Sequence, residues 1–97
     1  MQPLPFDKRV PGQRVKWSYT RDDGTVIWYT GAVVPLRDGH PLKEIAEETR
    51  MMIYVMPDID EFPWLQGYPF CFYEHDIEEG WGSASPIYAE DEKETDD

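Results

Sequence analysis

Residues 12–34, GQRVKWSYTRDDGTVIWYTGAVV, decide the fold. Val15, Trp17 and Tyr19 alternate with Arg14, Lys16 and Ser18, the period of two that marks a half-buried strand. Arg21-Asp22-Asp23-Gly24 follows. Asp-Gly between two apolar runs signals a hairpin, because glycine accepts the positive φ that the turn needs. Residues 25–34 are β-branched or aromatic almost throughout and read as a long second strand, ended by Pro35. Gly31 in the middle of that strand predicts a bend or bulge, as a small curling sheet requires.

Outside this hairpin, residues 1–11 contain Pro3, Pro5 and Pro11 and read as an extended arm without helix, with Phe6 and Val10 available to dock. Residues 41–49 predict a short helix opened by Pro41. Its Leu42, Ile45 and Ala46 share one face, and Glu44, Glu47 and Glu48 point outward. Two turns are not stable alone, so this face is expected to pack on the sheet. MMIYVM at 51–56 is a third strand and FCFY at 70–73 a fourth. Between them, residues 58–69 form a proline-rich loop carrying Phe62, Trp64, Leu65 and Tyr68, and a loop of that length with its own aromatics is often functional. Residues 74–79 suit one helical turn with Ile77 inward, and 86–88 a short last strand. The expected fold is mainly β: a small antiparallel barrel of four to five strands with one short inserted helix, since closure hides the sheet edges. The organisation is an arm (1–11), a barrel domain (12–88) and an acidic disordered tail (89–97).

The 97 residues suffice for one core. Aromatics at 14% argue against a disordered chain. Nine basic and twenty acidic residues give −11, of which −5 lies in residues 89–97 and −6 in the rest. Such a chain repels nucleic-acid phosphates and anionic membranes, so direct nucleic-acid or membrane binding is not expected and charged partners should be basic. The lone Cys71 forms no intrachain disulfide, which predicts a reducing, intracellular compartment. There is no apolar run of spanning length, no secretory leader pattern at the N-terminus, and no Asn for N-glycosylation.

Catalytic signals are weak, and the chain is expected not to be an enzyme. Cys71, His75 and Asp76 lie close in sequence, but Cys71 sits in an aromatic strand where a small thiol packs well. His40 reads as a loop residue. Two His and one Cys without a CxxC do not make a usual zinc site. Asp58, Asp60 and Glu61 begin like a calcium loop, and Phe62-Pro63 then break its spacing. No metal or cofactor is expected. The surplus of aromatic rings is the remaining signal. Trp28 and Tyr29 are adjacent, so on a strand they point to opposite faces and at least one large ring leaves the core or needs a cover.

GQRVKWSY, DDG and WYTGAVV resemble the first hairpin of Tudor and Agenet-type domains, which are SH3-like barrels. MIYVMPD at 52–58 is similar to their third strand, and FYEHDIE at 72–78 to their closing strand and helical turn, so the resemblance covers roughly residues 12–80. It implies recognition of methylated lysine or arginine in a basic, histone-tail-like peptide through an aromatic cage, in the nucleus. Carried over by position, Tyr19 and Tyr29 match cage aromatics of the first two strands, and the following loop offers Asp58, Asp60, Phe62 and Trp64. The candidate ligand-binding set is thus Tyr19, Tyr29, Asp60, Phe62 and Trp64. Rings around a cavity with an acid nearby attract an alkylated ammonium. Two alternatives remain open from the sequence: an acidic inhibitor or nucleic-acid mimic occupying a basic groove, and a protein-interaction subunit using its aromatic patch, as monomer or homodimer.

Overall fold

The computed structural model describes residues 2–58 and 69–91. Strands β1 (Arg14–Thr20) and β2 (Val26–Val34) form the expected hairpin, in unbroken register from Arg14 opposite Ala32 to Thr20 opposite Val26. At the turn, Gly24 adopts φ of 89° and donates its N–H to the Arg21 carbonyl at 2.9 Å. Strand β3 (Met52–Pro57) pairs with β2, β4 (Phe70–Tyr73) pairs with β3, and β5 (Tyr88–Ala89) returns to β1. Helix α1 (Lys43–Thr49) lies between β2 and β3, and α2 (Glu74–Glu79) follows β4 directly. The sheet order is β4-β3-β2-β1-β5, all antiparallel, so the domain is mainly β with five strands.

Strand alternation places Val15, Trp17, Tyr29, Val33, Ile53, Val55, Phe70 and Phe72 on one face, and Leu4, Ile77, Ile87 and Ala89 close the core over it. Trp17 is at its centre, with ring centroids 5.9 Å from Tyr29, 6.2 Å from Phe70 and 5.5 Å from Phe72. Strands β1 and β4 are separated by β2 and β3. In a flat sheet they would stand about 14 Å apart, so these ring contacts require the sheet to curl around Trp17. Among the described residues β4 and β5 do not pair with each other, and the expected barrel takes the form of a curled sheet with an open seam.

Gly31 is not a bulge in the hairpin. The register runs one residue to one through it, with Val15 on one side and Pro57 on the other. Its role is close approach: a Cβ at this position would stand 2.6 Å from the Met56 carbonyl oxygen and 2.9 Å from Val55 Cγ1.

Three sequence expectations need correction. The N-terminal arm is not wholly extended, since Phe6–Lys8 form a 3-10 turn after Pro5, short enough for the prolines to permit. The anchors are Leu4 and Arg9 instead of Phe6 and Val10. Leu4 is fully buried and donates its N–H to the Ile87 carbonyl, whereas Phe6 is half exposed. The Arg9 side chain is 2% exposed; its Nε donates to the Leu4 carbonyl (3.0 Å) and its Nη1 to the Arg50 carbonyl (2.9 Å), while Nη2 lies 3.7 Å from Glu78 Oε1. Helix α1 starts at Lys43 instead of Pro41 and buries no residue, leaving Leu42 and Ile45 exposed. Polar ties hold its end instead: the Arg50 carbonyl accepts from Arg9, and Arg50 Nη1 donates to the Phe6 carbonyl at 3.0 Å. The tail begins later than expected, because Ala89 is a buried member of β5 and Glu90 pairs with Arg14. Residues 92–97 of that tail lie outside the described residues.

Arg9→Met keeps the apolar stem and strips the donors from two carbonyls, so urea unfolding should show a loss of about 2–3 kcal/mol. Gly31→Ala forces β2 and β3 apart and should cost about 1–3 kcal/mol by the same measurement.

Candidate functional site: a seam lined by rings and a carboxylate

The curl leaves β4 facing the turn that follows α2. Tyr73 ends β4 and caps α2 with extended backbone (φ −88°, ψ 169°), and its N–H donates to Asp76 Oδ2 at 3.0 Å. This return bond fixes the Asp76 carboxylate at the first turn of the helix, where a negative charge meets the unpaired N–H groups. Ile77 plugs α2 into the core. Trp81 and Ala84 then exchange backbone hydrogen bonds of 3.1 and 2.9 Å in a tight turn. That turn is fastened to β1: Ala84 bridges to Tyr19, Thr20 donates to the Ser83 carbonyl, and Ser85 donates to the Ser18 carbonyl. Ser85 Oγ also accepts from the Ser18 N–H at 2.9 Å.

Between these two walls lies an open hollow of about 380 Å³, lined by Cys71, Phe72, Tyr73, Asp76, Trp81, Ala84 and Ser85. Its rings are accessible, with Trp81 75% and Tyr73 57% exposed. Among the described residues Asp76 is the charged member of the lining. Two accessible π-faces beside a carboxylate suit a cation carrying apolar substituents.

Burial pushes the Cys71 pKa up, and the neighbouring Tyr73 and Tyr54 hydroxyls offset that only in part. Cys71 is therefore a protonated, weakly nucleophilic thiol at neutral pH. His75 does not complete a couple with it: its Nε2 lies 3.1 Å from Glu79 Oε2 one turn along α2, a contact that becomes an ion pair on protonation. Among the described residues no group of three or more His, Cys, Asp or Glu could hold a metal ion, and no helix is long and apolar enough to cross a membrane.

Of the residues singled out by sequence, Tyr19 and Tyr29 lie on the same face of the hairpin, Tyr19 opposite Ile27 and Tyr29 opposite Trp17. Tyr19 is 43% exposed and borders a shallow hollow with Arg21, Asp22 and Asp23, while Tyr29 is half buried against Trp17. Asp60, Phe62 and Trp64 lie outside the described residues. Trp28 leaves the core, as the adjacency with Tyr29 requires; it lies 6.3 Å from the Tyr88 ring, with Lys16 Nζ 5.7 Å from its own. The sequence-based candidates omit Trp81 and Tyr73, and place Asp76 only beside Cys71 and His75 as a weak catalytic signal. The available signal was Gly80-Trp81-Gly82, an indole in a segment too tight to bury it.

Asp58, the first acid of the loop, is engaged within the fold. Arg14 grips it through both Nη atoms and grips Glu90 through Nε, and the Thr30 hydroxyl donates to Asp58 Oδ2 at 2.7 Å. These partners hold the Asp58 carboxyl at about 2, the Arg14 bonds contributing most. A depressed carboxyl stabilises the fold fully above its unfolded value of about 4, and that contribution is lost as pH falls through about 2. Both side chains are roughly two-fifths exposed, so solvent screening limits the pair to about 1 kcal/mol or less. Asp58→Asn should lower Tm by up to about 5 °C at pH 6, and the gap from wild type should close near pH 2.

No protein-family model matches the chain, and no curated protein and no solved structure matches it.

Proposed function

We propose that the domain is a non-catalytic module that binds a basic protein segment, seating a lysine or arginine side chain, methylated forms included, against Trp81, Tyr73 and Asp76. The observation that carries this reading is the hollow at the β4 seam, where the exposed rings of Trp81 and Tyr73 share a lining with the Asp76 carboxylate and, among the described residues, with no cation. A methylated ammonium loses little hydration on entering such a site and gains attraction to both rings and the carboxylate. The net charge of −11 supports the same class of partner, since it favours encounter with basic chains. A histone-tail-like ligand in the nucleus is the setting that the Tudor-like resemblance of residues 12–80 implies. Tyr19 extends the surface, because its bridge to Ala84 brings it beside the Trp81 turn. The exposed Leu42 and Ile45 of α1 favour a companion reading, an interaction subunit that grips a larger partner through an apolar patch.

Calorimetric titration with a lysine-rich peptide, unmodified and trimethylated, tests the cation seat. The expected result is salt-sensitive binding, tighter for the trimethylated form, weakened about tenfold by Trp81→Ala. Asp76→Asn retains a capping oxygen and should weaken binding while flattening its salt dependence. Absence of binding, or equal binding by wild type and Trp81→Ala, overturns the reading.

A further inference from the structure

Among the described residues, strand β4 is the last strand on its side of the sheet. It pairs with β3 through Val55 opposite Phe70, Tyr54 opposite Cys71, Ile53 opposite Phe72 and Met52 opposite Tyr73. In an antiparallel ladder, residues alternate between exchanging hydrogen bonds with one neighbouring strand and with the other. The Tyr73 N–H is directed to Asp76 on α2, so Tyr73 belongs to the set that faces away from β3. By the same alternation Cys71, two residues back, presents its N–H and its carbonyl to the outer edge. That edge opens into the hollow, where Cys71, Phe72 and Tyr73 form one wall and Ala84 and Ser85 the other. The opposite wall is already satisfied, since Ala84 donates to the Trp81 carbonyl and Ser85 to the Ser18 carbonyl.

We infer that the free edge of β4 receives an extended basic segment of a partner protein as an added strand, which exchanges both backbone hydrogen bonds with Cys71. This rests on the basic-segment reading above and states how the segment lies. Side chains two apart on a strand share a face, as Cys71 and Tyr73 do. The added residue two places from the one opposite Cys71 therefore stands opposite Tyr73, and a lysine or arginine there reaches the rings and Asp76. Charge selects the occupant. Among the described residues Asp76 is the charged member of the lining, and α2 beside it carries four carboxylates in six residues. A second copy of this chain, also at −11, is disfavoured at the same edge.

The test uses a synthetic peptide of alternating Lys and Thr and two analogues N-methylated on alternate peptide nitrogens, one for each set of nitrogens. N-methylation removes a backbone donor without altering charge and leaves the protein untouched. One analogue should bind about tenfold more weakly than the parent while the other binds comparably, and hydrogen exchange at the Cys71 amide should slow when the parent peptide saturates the protein. If both analogues bind like the parent and Cys71 gains no protection, strand addition is overturned, while continued sensitivity to Trp81→Ala leaves the basic-segment reading standing. If no peptide binds, both fail. Protection at Cys71 that rises with protein concentration without peptide assigns the edge to a second copy and overturns the proposal.

Discussion

The contact between Trp17 and the rings of Phe70 and Phe72 sets the shape on which everything else depends. Neighbouring strands in a sheet are spaced by backbone hydrogen bonds, so two strands separated by two others touch only if the sheet bends. Trp17 has the reach to impose that bend, and Gly31 removes the side chain that would resist it on β2, where the Met56 carbonyl comes close. Once the sheet curls, β4 no longer faces open solvent along its whole edge. It faces the Trp81–Ala84 turn, which β1 holds in place through Tyr19 and Ser18. The hollow between them is the space left where a curled sheet approaches closure with no pairing, among the described residues, between β4 and β5.

The strands were legible because their signals are local. Alternation in residues 14–19 gave β1, Asp23-Gly24 gave the turn, and Pro57 closed β3, each within a few residues of the structural boundary. The ties between elements were less legible. Arg9 reads from sequence as one cation in a polar arm, yet it is buried because its donors meet the carbonyls of Leu4 and Arg50, two groups 46 residues apart along the chain. Helix α1 shows the converse. Its spacing puts Leu42, Ile45 and Ala46 on one face, but periodicity cannot say whether a surface exists to receive that face. The Arg9–Arg50 ties hold the helix end by polar bonds, with Ile45 56% exposed.

The candidate site was half legible. A domain this small does not bury every ring, and adjacency on one strand separates Trp28 from Tyr29, one outward and one against Trp17. Which rings would share a hollow was not readable, because a capped helix and a tight turn, not local spacing, put Tyr73 and Trp81 in one lining. The capping bond from Tyr73 to Asp76 is what brings the carboxylate to the rings. Nothing in residues 70–85 read singly separates that carboxylate from Glu74, Glu78 or Glu79; only the fold does.

The distribution of charge strengthens the case for a basic partner beyond the net figure. Several of the nine cations are engaged within the molecule: Arg9 under the arm, Arg14 between Asp58 and Glu90, Lys43 with Asp38, Arg50 on the Phe6 carbonyl. Each such tie fixes a positive charge against the fold and leaves a surplus of carboxylates to face outward, those of α2 among them. At physiological salt the field decays within about 8 Å, so distant acids do little at the seam and Asp76 acts at contact range. In the proposed reading the acidic body governs approach, while the rings and the Asp76 carboxylate at the seam govern what is held. A cation that is both charged and apolar satisfies the second requirement better than a bare ammonium, whose hydration the rings cannot replace.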